Sequence, residues 1–407
     1  MSKLNELIKE LCPDGVEYVN LREIATISRG GNFQKKNFCE TGIPCIHYGQ
    51  IYTKYGLFAD KTLTFISEEI SGKQKYAEPN DIIMAVTSEN MEDVCKCVTW
   101  LGKEKIAISG HTAIIHHNQD AKYLCYYFHS SMFAVQKNKL AHGTKVIEVT
   151  PDKLGGIKIP LPPLVVQHEI VRILDNFTEY ITLLEKELTL RKKQYTYYRD
   201  YLLNFGDDVE RRTLGEVCFI VDYRGKTPKK TNEGVFLITA KNIRKGYINY
   251  ECSKEYISET DYNEVMRRGF PQIGDVLITT EAPLGNVAQI DNDKIALAQR
   301  IIKYRPKDNN LLLSGFLKYC LLSTEFQNKL FMASTGGTVK GIKGSRLHQL
   351  KIPIPPLGEQ KRIVEILDKF DSLCNDITNG LPAEIQVRQK QYAYYRDRLL
   401  NFERSKN

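Results

Sequence analysis

Two short loops carry the residues best suited to hold an anion. ISRGGNFQKKNF at 27–38 sets Arg29, Lys35 and Lys36 among glycines and aromatics. VDYRGKTPKK at 221–230 sets Arg224, Lys226, Lys229 and Lys230 at the matching place in the second half of the chain. Glycine lets a backbone amide approach a phosphate, and Lys or Arg neutralises it. One basic loop is ordinary solvated surface; two at matching positions point to a polyanion. Further along, YGQIYTKYG at 48–56 aligns with AKNIRKGYI at 240–248. Each offers an amide side chain, Gln50 or Asn242, beside basic groups: Lys54 in the first, Lys241, Arg244 and Lys245 in the second. Amides pair with adenine, and Arg or Lys with guanine, in the major groove of DNA. Polar turns account for the same residues equally well. Gly143, Thr144 and Lys145, with Gly336, Gly337, Thr338 and Lys340, also suit phosphate contact.

No catalytic constellation accompanies these loops. Gly225-Lys226-Thr227 looks like the end of a phosphate-binding loop, but Ile220 stands where that loop needs glycine, and Pro228 follows. No glycine-rich cofactor loop follows a strand. An Asn-Pro-Pro-Tyr or Asn-Pro-Pro-Phe sequence of an adenine methyltransferase is missing, and so is a nuclease-type cluster of carboxylates and lysine. His116 and His117 adjoin, and neighbours on a strand point to opposite faces, so they do not read as a metal pair. Cys95 and Cys97 are too close for a zinc knuckle. The ten cysteines read as reduced thiols of a cytosolic protein. The expectation is therefore no catalytic residue, metal or cofactor in this chain. The formal net charge of +8 leans mildly toward an acidic partner. At 42% hydrophobic and 26% charged residues, the 407-residue chain reads as two or three folded domains. No apolar run reaches the roughly 18 residues of a membrane span. Met1 to Leu11 is too polar for a signal peptide.

The elements that must position the loops are doubled. IKIPLPPLVVQHEIVRILDNF at 157–177 returns as LKIPIPPLGEQKRIVEILDKF at 350–370, offset by 193 residues. QYTYYRDYLLNF at 194–205 returns as QYAYYRDRLLNF at 391–402, offset by 197. A fainter match opens each half: Val16, Glu17, Leu21 and Glu23 against Val209, Glu210, Leu214 and Glu216. This is a duplicated domain and linker, with pseudo-twofold symmetry. After the prolines, which cannot sit inside a helix, apolar residues recur at heptad spacing. The first seam is Ile170, Leu174, Phe177, Ile181, Leu184, Leu188, Tyr195, Tyr198, Leu202 and Phe205; the second is Ile363, Leu367, Phe370, Cys374, Ile377, Leu381, Ile385, Tyr392, Tyr395, Leu399 and Phe402. Each predicts a helix of about 36–40 residues spanning about 55 Å. The two seams most simply bury each other as an antiparallel pair. Two four-residue steps meet at Leu381, a stutter flanked by Gly380 and Pro382, which predicts a break or kink. Before each helix lie strand-rich stretches, with helical segments at 123–138 and 315–330.

The doubled IPLPPL/IPIPPL segment, each copy followed by Gln, IV-x-ILD-x-F and QY-x-YYRD-x-LLNF, resembles the specificity subunit of type I restriction–modification systems over essentially the whole chain. NGLPAEI at 379–385 resembles that family's distal helix region. The resemblance implies an α+β fold: two similar mixed α/β target-recognition domains separated by two long antiparallel coiled-coil helices. The expected boundaries are a first recognition domain at 1–160, a central helix at 161–206, a second recognition domain at 207–353 and a distal helix at 354–407. Each domain would read one half of a split asymmetric site in double-stranded DNA. The helices would set the spacing, at most roughly 16 base pairs for a rod of about 55 Å. They would also dock two methyltransferase subunits, with translocating endonuclease subunits completing the complex. S-adenosylmethionine, ATP and magnesium would belong to those partners. Packing and docking are expected of Ile170, Leu174, Phe177, Leu184, Leu188, Tyr198, Leu202, Ile363, Leu367, Phe370, Tyr395 and Leu399. A cytoplasmic bacterial or archaeal protein is implied. Two other readings compete: a self-sufficient methyltransferase or nuclease, and a coiled-coil adaptor that binds protein.

Overall fold

The structure, a computed structural model, describes residues 2–223, 228–292, 294–376 and 379–405. Nine helices are used below: α1 (Ser2–Leu11), α2 (Tyr48–Thr53), α3 (Ala121–Phe128), α4 (Ser131–Leu140), α5 (Leu164–Leu202), α6 (Ser314–Leu322), α7 (Thr324–Ala333), α8 (Leu357–Asn375) and α9 (Leu381–Leu399). No helix among the described residues is long and apolar enough to cross a membrane. Contacts divide the chain into unit 1, Met1–Thr182 with Val387–Asn407, and unit 2, Leu183–Gln386. Each unit thus combines one strand-rich region with the start of the helix that follows it and the end of the other repeat's helix.

In unit 1 one five-stranded sheet runs Ala25–Arg29, Thr112–His117, Ile82–Ala85, Cys97–Trp100, Phe58–Ala59. Its strand Ile82–Ala85 is apolar at every position and wholly buried, as a strand covered on both faces must be. A second sheet orders Phe38–Cys39, Thr64–Ile66, Ile43–Ile46, Ile106–Ile108, Lys75–Ala77. Unit 2 has two four-stranded sheets: Cys218–Asp222, Ile301–Pro306, Val276–Thr280, Leu284–Gln289, and Lys230–Thr231, Tyr256–Ile257, Val235–Ile238, Ile295–Leu297. The expected single helical stretches are each two helices. Ser130 ends the first helix and caps α4 by accepting from Phe133 N at 3.2 Å; Ser323 does the same for Phe326 N at 3.2 Å.

The doubled motif has a physical job in each unit. Lys158–Pro160 pairs antiparallel with Tyr18–Asn20, and Lys351–Pro353 pairs with Arg211–Thr213. Tyr18 faces Pro160 and Arg211 faces Pro353, so the fainter opening match of each half is the partner strand of its own proline segment. Proline has no N–H for a ladder, and here it ends the strand. The glutamine that follows is fully buried in both copies. Gln167 Nε2 donates to Pro162 O at 2.8 Å, and its Oε1 accepts from Asp120 N at 3.2 Å. Gln360 Nε2 donates to Pro355 O and Leu311 O, and its Oε1 accepts from Leu313 N at 3.0 Å. Each amide pins the proline turn to the loop that leads into an earlier helix, α3 in unit 1 and α6 in unit 2.

The helices pair antiparallel within each unit. In unit 1, Phe177 of α5 stacks on Tyr395 of α9 at 5.3 Å, and Arg388 lies over Tyr180. In unit 2, Tyr198 of α5 stacks on Phe370 of α8 at 5.6 Å. The two stacks are the same contact made by opposite copies of the repeat. Asp397 then accepts from Ser131 N at 3.2 Å at the start of α4, and Asp200 accepts from Thr324 N at 3.0 Å at the start of α7. A carboxylate at a helix N-terminus satisfies orphan amides and meets the positive end of the dipole. The Arg of each Tyr-Arg-Asp run lies over a tyrosine ring, Arg199 over the buried Tyr195 and Arg396 over the partly buried Tyr392. In unit 1 the chain's two ends also join. Val16 N donates to Glu403 O at 2.9 Å and Ser405 N to Val16 O at 3.1 Å.

The expected long first helix and the expected break at the stutter are both present, and one expectation, about the seam, needs correction. The first helix is one element of 39 residues, about 58 Å long. The second is two helices of 19 residues each, broken between Asn375 and Leu381; seam residue Ile377 lies outside the described residues. Gly380 explains why the break is tight: a Cβ there would stand 2.5 Å from Ser372 O and 2.6 Å from Asp376 O. The seam residues are also spent on this chain. Ile170, Leu174, Ile363 and Leu367 are fully buried, and Leu184 and Leu399 nearly so. Phe177, Leu188, Leu202, Phe370 and Tyr395 are partly covered in the same packing. The fully buried positions leave no surface for a partner. Gln360→Met should leave Leu313 N–H and Pro355 C=O unmatched. The expected cost is about 1–3 kcal/mol for each buried group, read as a lowered midpoint in urea unfolding.

Candidate nucleic-acid interface

In unit 1 the basic stretches converge on the turn Ser109-Gly110-His111, between the strands Ile106–Ile108 and Thr112–His117. Arg29 donates to Gly110 O at 3.1 Å and pairs with Glu148 at 2.8 Å. Tyr48 N donates to Ser109 Oγ at 2.9 Å, and the Tyr48 ring lies 4.9 Å from His111. Lys35 and Lys36 are exposed on a short 3-10 turn, Lys35–Asn37. Lys35 sits close enough to His47 to affect its titration: burial first, then the Lys35 charge, push the imidazole down to about 4. His47 is therefore neutral near pH 7, and its Nδ1 accepts from Gly49 N at 3.2 Å to start α2. Lys54 follows the other end of α2 and is exposed.

The third stretch is a hairpin present in both units. His142 and Glu148 exchange backbone hydrogen bonds, as do Thr335 and Gly341. Gly143 (φ +112°) and Gly336 (φ +113°) make the same left-handed turn, each with the carbonyl of a valine, Val146 or Val339, where a Cβ would go. Lys145 and Lys340 are exposed on these hairpins, and the Lys340 ammonium lies 3.8 Å from the Phe331 ring centroid.

Unit 2 gathers its groups around the matching turn, Ala298-Gln299-Arg300. Thr280 N donates to Arg300 O there, just as Val86 N donates to His111 O in unit 1. Arg300 holds φ +68°, a backbone region that costs a side chain energy, and pairs with Glu281 at 2.7 Å. Pro228, Lys230, Lys241, Glu255, Gln299 and Arg300 line one cleft. Glu281, Gln299, Arg300, Val339, Gly341 and Lys343 line the next. Lys230 is ion-paired to Glu255 at 2.7 Å; Lys229 and Lys241 are exposed. Arg224 and Lys226, with Gly225-Lys226-Thr227, lie outside the described residues.

Several sequence-derived roles do not survive this geometry. Asn242 is fully buried, and its Oδ1 accepts from Thr239 N at 2.9 Å and Thr239 Oγ1 at 2.8 Å. Its Nδ2 donates to Asn249 O at 3.0 Å and Ser253 O at 2.9 Å. With both ends engaged it clamps a loop and cannot read a base. Gln50 accepts from His47 N at 2.9 Å and contacts Thr64, as the third residue of a helix cap. Its alignment with Asn242 joins a helix to a set of turns. Arg244 donates to Cys252 Sγ at 2.9 Å. The exposed Lys245 precedes Gly246, whose Cα region faces Asp371 of α8; neither Arg244 nor Lys245 lines the clefts. Gly30 N and Gly31 N donate to Thr112 O and Ile108 O, so these glycines serve close strand approach rather than phosphate capture. His111, Gln299, Arg300 and Lys343 were missed. The signal was available in AISGHTAII against ALAQRIIKY, where insertions shift the offset. Cys97, Cys125 and His129 also cluster, with Cys97 Sγ and Cys125 Sγ 3.8 and 3.9 Å from His129 Nδ1. That nitrogen lies 2.8 Å from Cys125 O, a hydrogen bond that occupies it.

Two α/β units of one plan, joined through shared helices and repeating one turn that lines basic clefts in unit 2, define a duplicated scaffold. The chain matches the model of the type I restriction modification DNA specificity domain twice, over residues 13–191 and 206–387, and it belongs to that family. It is 38% identical over 261 residues to the EcoR124I/EcoR124II specificity subunit of Escherichia coli, covering 60% of this chain and 63% of that relative's length. The EcoprrI specificity subunit of Escherichia coli is 25% identical over 93% of both chains. Two solved structures share the fold. A specificity subunit of M. genitalium matches with TM-score 0.52 at 14% identity, covering 95% of this chain and 96% of that one. A chain from work on assembly and conformational transition of the type I restriction–modification system matches with TM-score 0.59 at 20% identity, covering 96% and 98%.

If Lys35 and Lys36 each neutralise a phosphate, replacing both with Ala should lower the salt slope of DNA binding by about 2. Anisotropy titrations across ionic strength measure it. An unchanged slope refutes the phosphate role.

Proposed function

We propose that this chain is the specificity subunit of a type I restriction–modification complex and is not itself catalytic. Each unit reads one half of a bipartite, asymmetric DNA site. The carrying observation is the repeated turn: the same turn of the same fold presents His111 beside Gly110 in unit 1 and Arg300 beside Gln299, lining a basic cleft, in unit 2. Equal scaffolds with unequal side chains suit unequal half-sites. Arg300 is the group best matched to a guanine edge. Lys35, Lys36, Lys145, Lys229 and Lys241 supply phosphate charge.

Chemistry is assigned to partners. Two methyltransferase subunits bring S-adenosylmethionine and methylate adenine; translocating endonuclease subunits bring ATP and magnesium. The whole assembly works in the cytoplasm of a bacterium or archaeon. With the buried seam consumed, docking falls to a second stripe on the helices. In unit 2 this is Leu183, Leu190, Tyr197 and Tyr201, the tyrosines 64% and 65% exposed and stacked on each other at 6.1 Å. In unit 1 it is Val387 and Tyr394. Exposed aromatics at this density suit an interface core.

Long-read mapping of adenine methylation, with and without this chain, tests the function. The expected result is one split motif that vanishes with the chain. Methylation or cleavage by the purified chain alone would establish a self-sufficient enzyme instead. For docking, Tyr197→Asp with Tyr201→Asp should abolish co-purification of the methyltransferase subunit while leaving the far-UV spectrum unchanged. Retained assembly at wild-type stoichiometry refutes the stripe.

A further inference from the structure

The last turn of α7 carries an apolar knob that packing does not explain. Met332 is 85% exposed and Phe331 55% exposed. Seven residues beyond Met332, Val339 on the hairpin is 60% exposed. Val339 lines the Arg300 cleft, and Lys340 of the same hairpin sits over Phe331, the neighbour of Met332 in the last turn of α7. Cations surround them. Lys343 lines the same cleft, and Arg346 reaches back to Ala333 O at 3.4 Å. An apolar projection within a basic rim complements one kind of surface well: phosphates outside, stacked bases within. Side chains of Met and Phe type serve as wedges between base steps elsewhere, and the unstacking they cause bends the duplex.

Unit 1 lacks this knob. Its helix α4 matches α7 from cap to end, and Asn138 and Lys139 stand where Phe331 and Met332 stand. Only the hairpin valine, Val146, is shared as an exposed apolar group.

We propose that Met332, backed by Phe331, is an intercalating wedge that unstacks one base step in the half-site read by unit 2, while unit 1 reads its half-site without unstacking. Val339 braces the wedge, and Lys340 and Lys343 hold the flanking phosphates. This rests on the DNA-reading function above. It adds that specificity in one half-site includes the deformability of a step, not only its edges.

The test uses the assembled complex and a duplex carrying the mapped site. 2-Aminopurine is placed in turn at each position of both half-sites other than the methylatable adenines, which a methyltransferase can itself unstack. The expected result is a fluorescence rise at one step of one half-site. Met332→Ala with Phe331→Ala should return it to the level of free duplex, and Met332→Leu should retain it. A site bound with no rise, a rise in both half-sites, or a rise that survives the double Ala variant overturns the wedge. Protection of Met332 from hydroxyl-radical oxidation in the DNA-free complex also overturns it, by assigning the knob to a protein partner. Failure of the wild-type complex to bind the duplex overturns the DNA-reading function instead.

Discussion

The structure depends on a reciprocal exchange of helix ends. A helix of 39 residues exposes a seam too long for one small domain to cover. Here the first part of α5 is covered in unit 1 and the second part in unit 2. The aromatic stack and the carboxylate cap are what make this work. Phe177 with Tyr395, and Tyr198 with Phe370, bring the end of one repeat's helix onto the start of the other's. Asp397 and Asp200 then tie those ends to α4 and α7. Unit 1 completes its core from two separate stretches of chain, and unit 2 from one stretch that takes in the end of the first repeat's helix and the start of the second's. The strong repetition of the helix motif follows, since each copy must fit the domain it precedes or follows and its counterpart in the other half.

Divergence concentrates where that constraint is absent. The turns at His111 and Arg300 share their backbone bonds but not their side chains. A left-handed Arg300, held by Glu281, is tolerated because the surrounding strands fix the turn. The same arginine lines the clefts it shares with Gln299.

What could be read from residue types alone was whatever has a period or a stop signal. The heptad seam gave α5 to within a few residues, and Gly380 with Pro382 marked the break. The proline segment and its faint partner strand were visible as one offset, although their pairing was not. Roles that depend on who supplies the other half of a hydrogen bond were illegible. Asn242 and a base-reading Asn look the same in sequence; only the carbonyls of Asn249 and Ser253 tell them apart. Gly30 and Gly31 look like a phosphate loop until their amides are found on Thr112 and Ile108. Exposure was equally hidden. The seam had been expected both to pack and to dock, and its central positions prove to be buried within this chain.

The break at Gly380 has a geometric consequence. Four added residues advance an α-helix by about 400°, some 40° beyond a full turn. In an unbroken rod that rotation would swing every later side chain off its neighbour, from Ile385 to Leu399. Ending α8 at Asn375 and restarting α9 at Leu381 discards the accumulated rotation at a single joint. The distal helix can therefore change length by insertion or deletion at that joint while the upstream and downstream cores keep their own phase. Such a joint is where a lineage can alter the reach of the scaffold without redesigning either end.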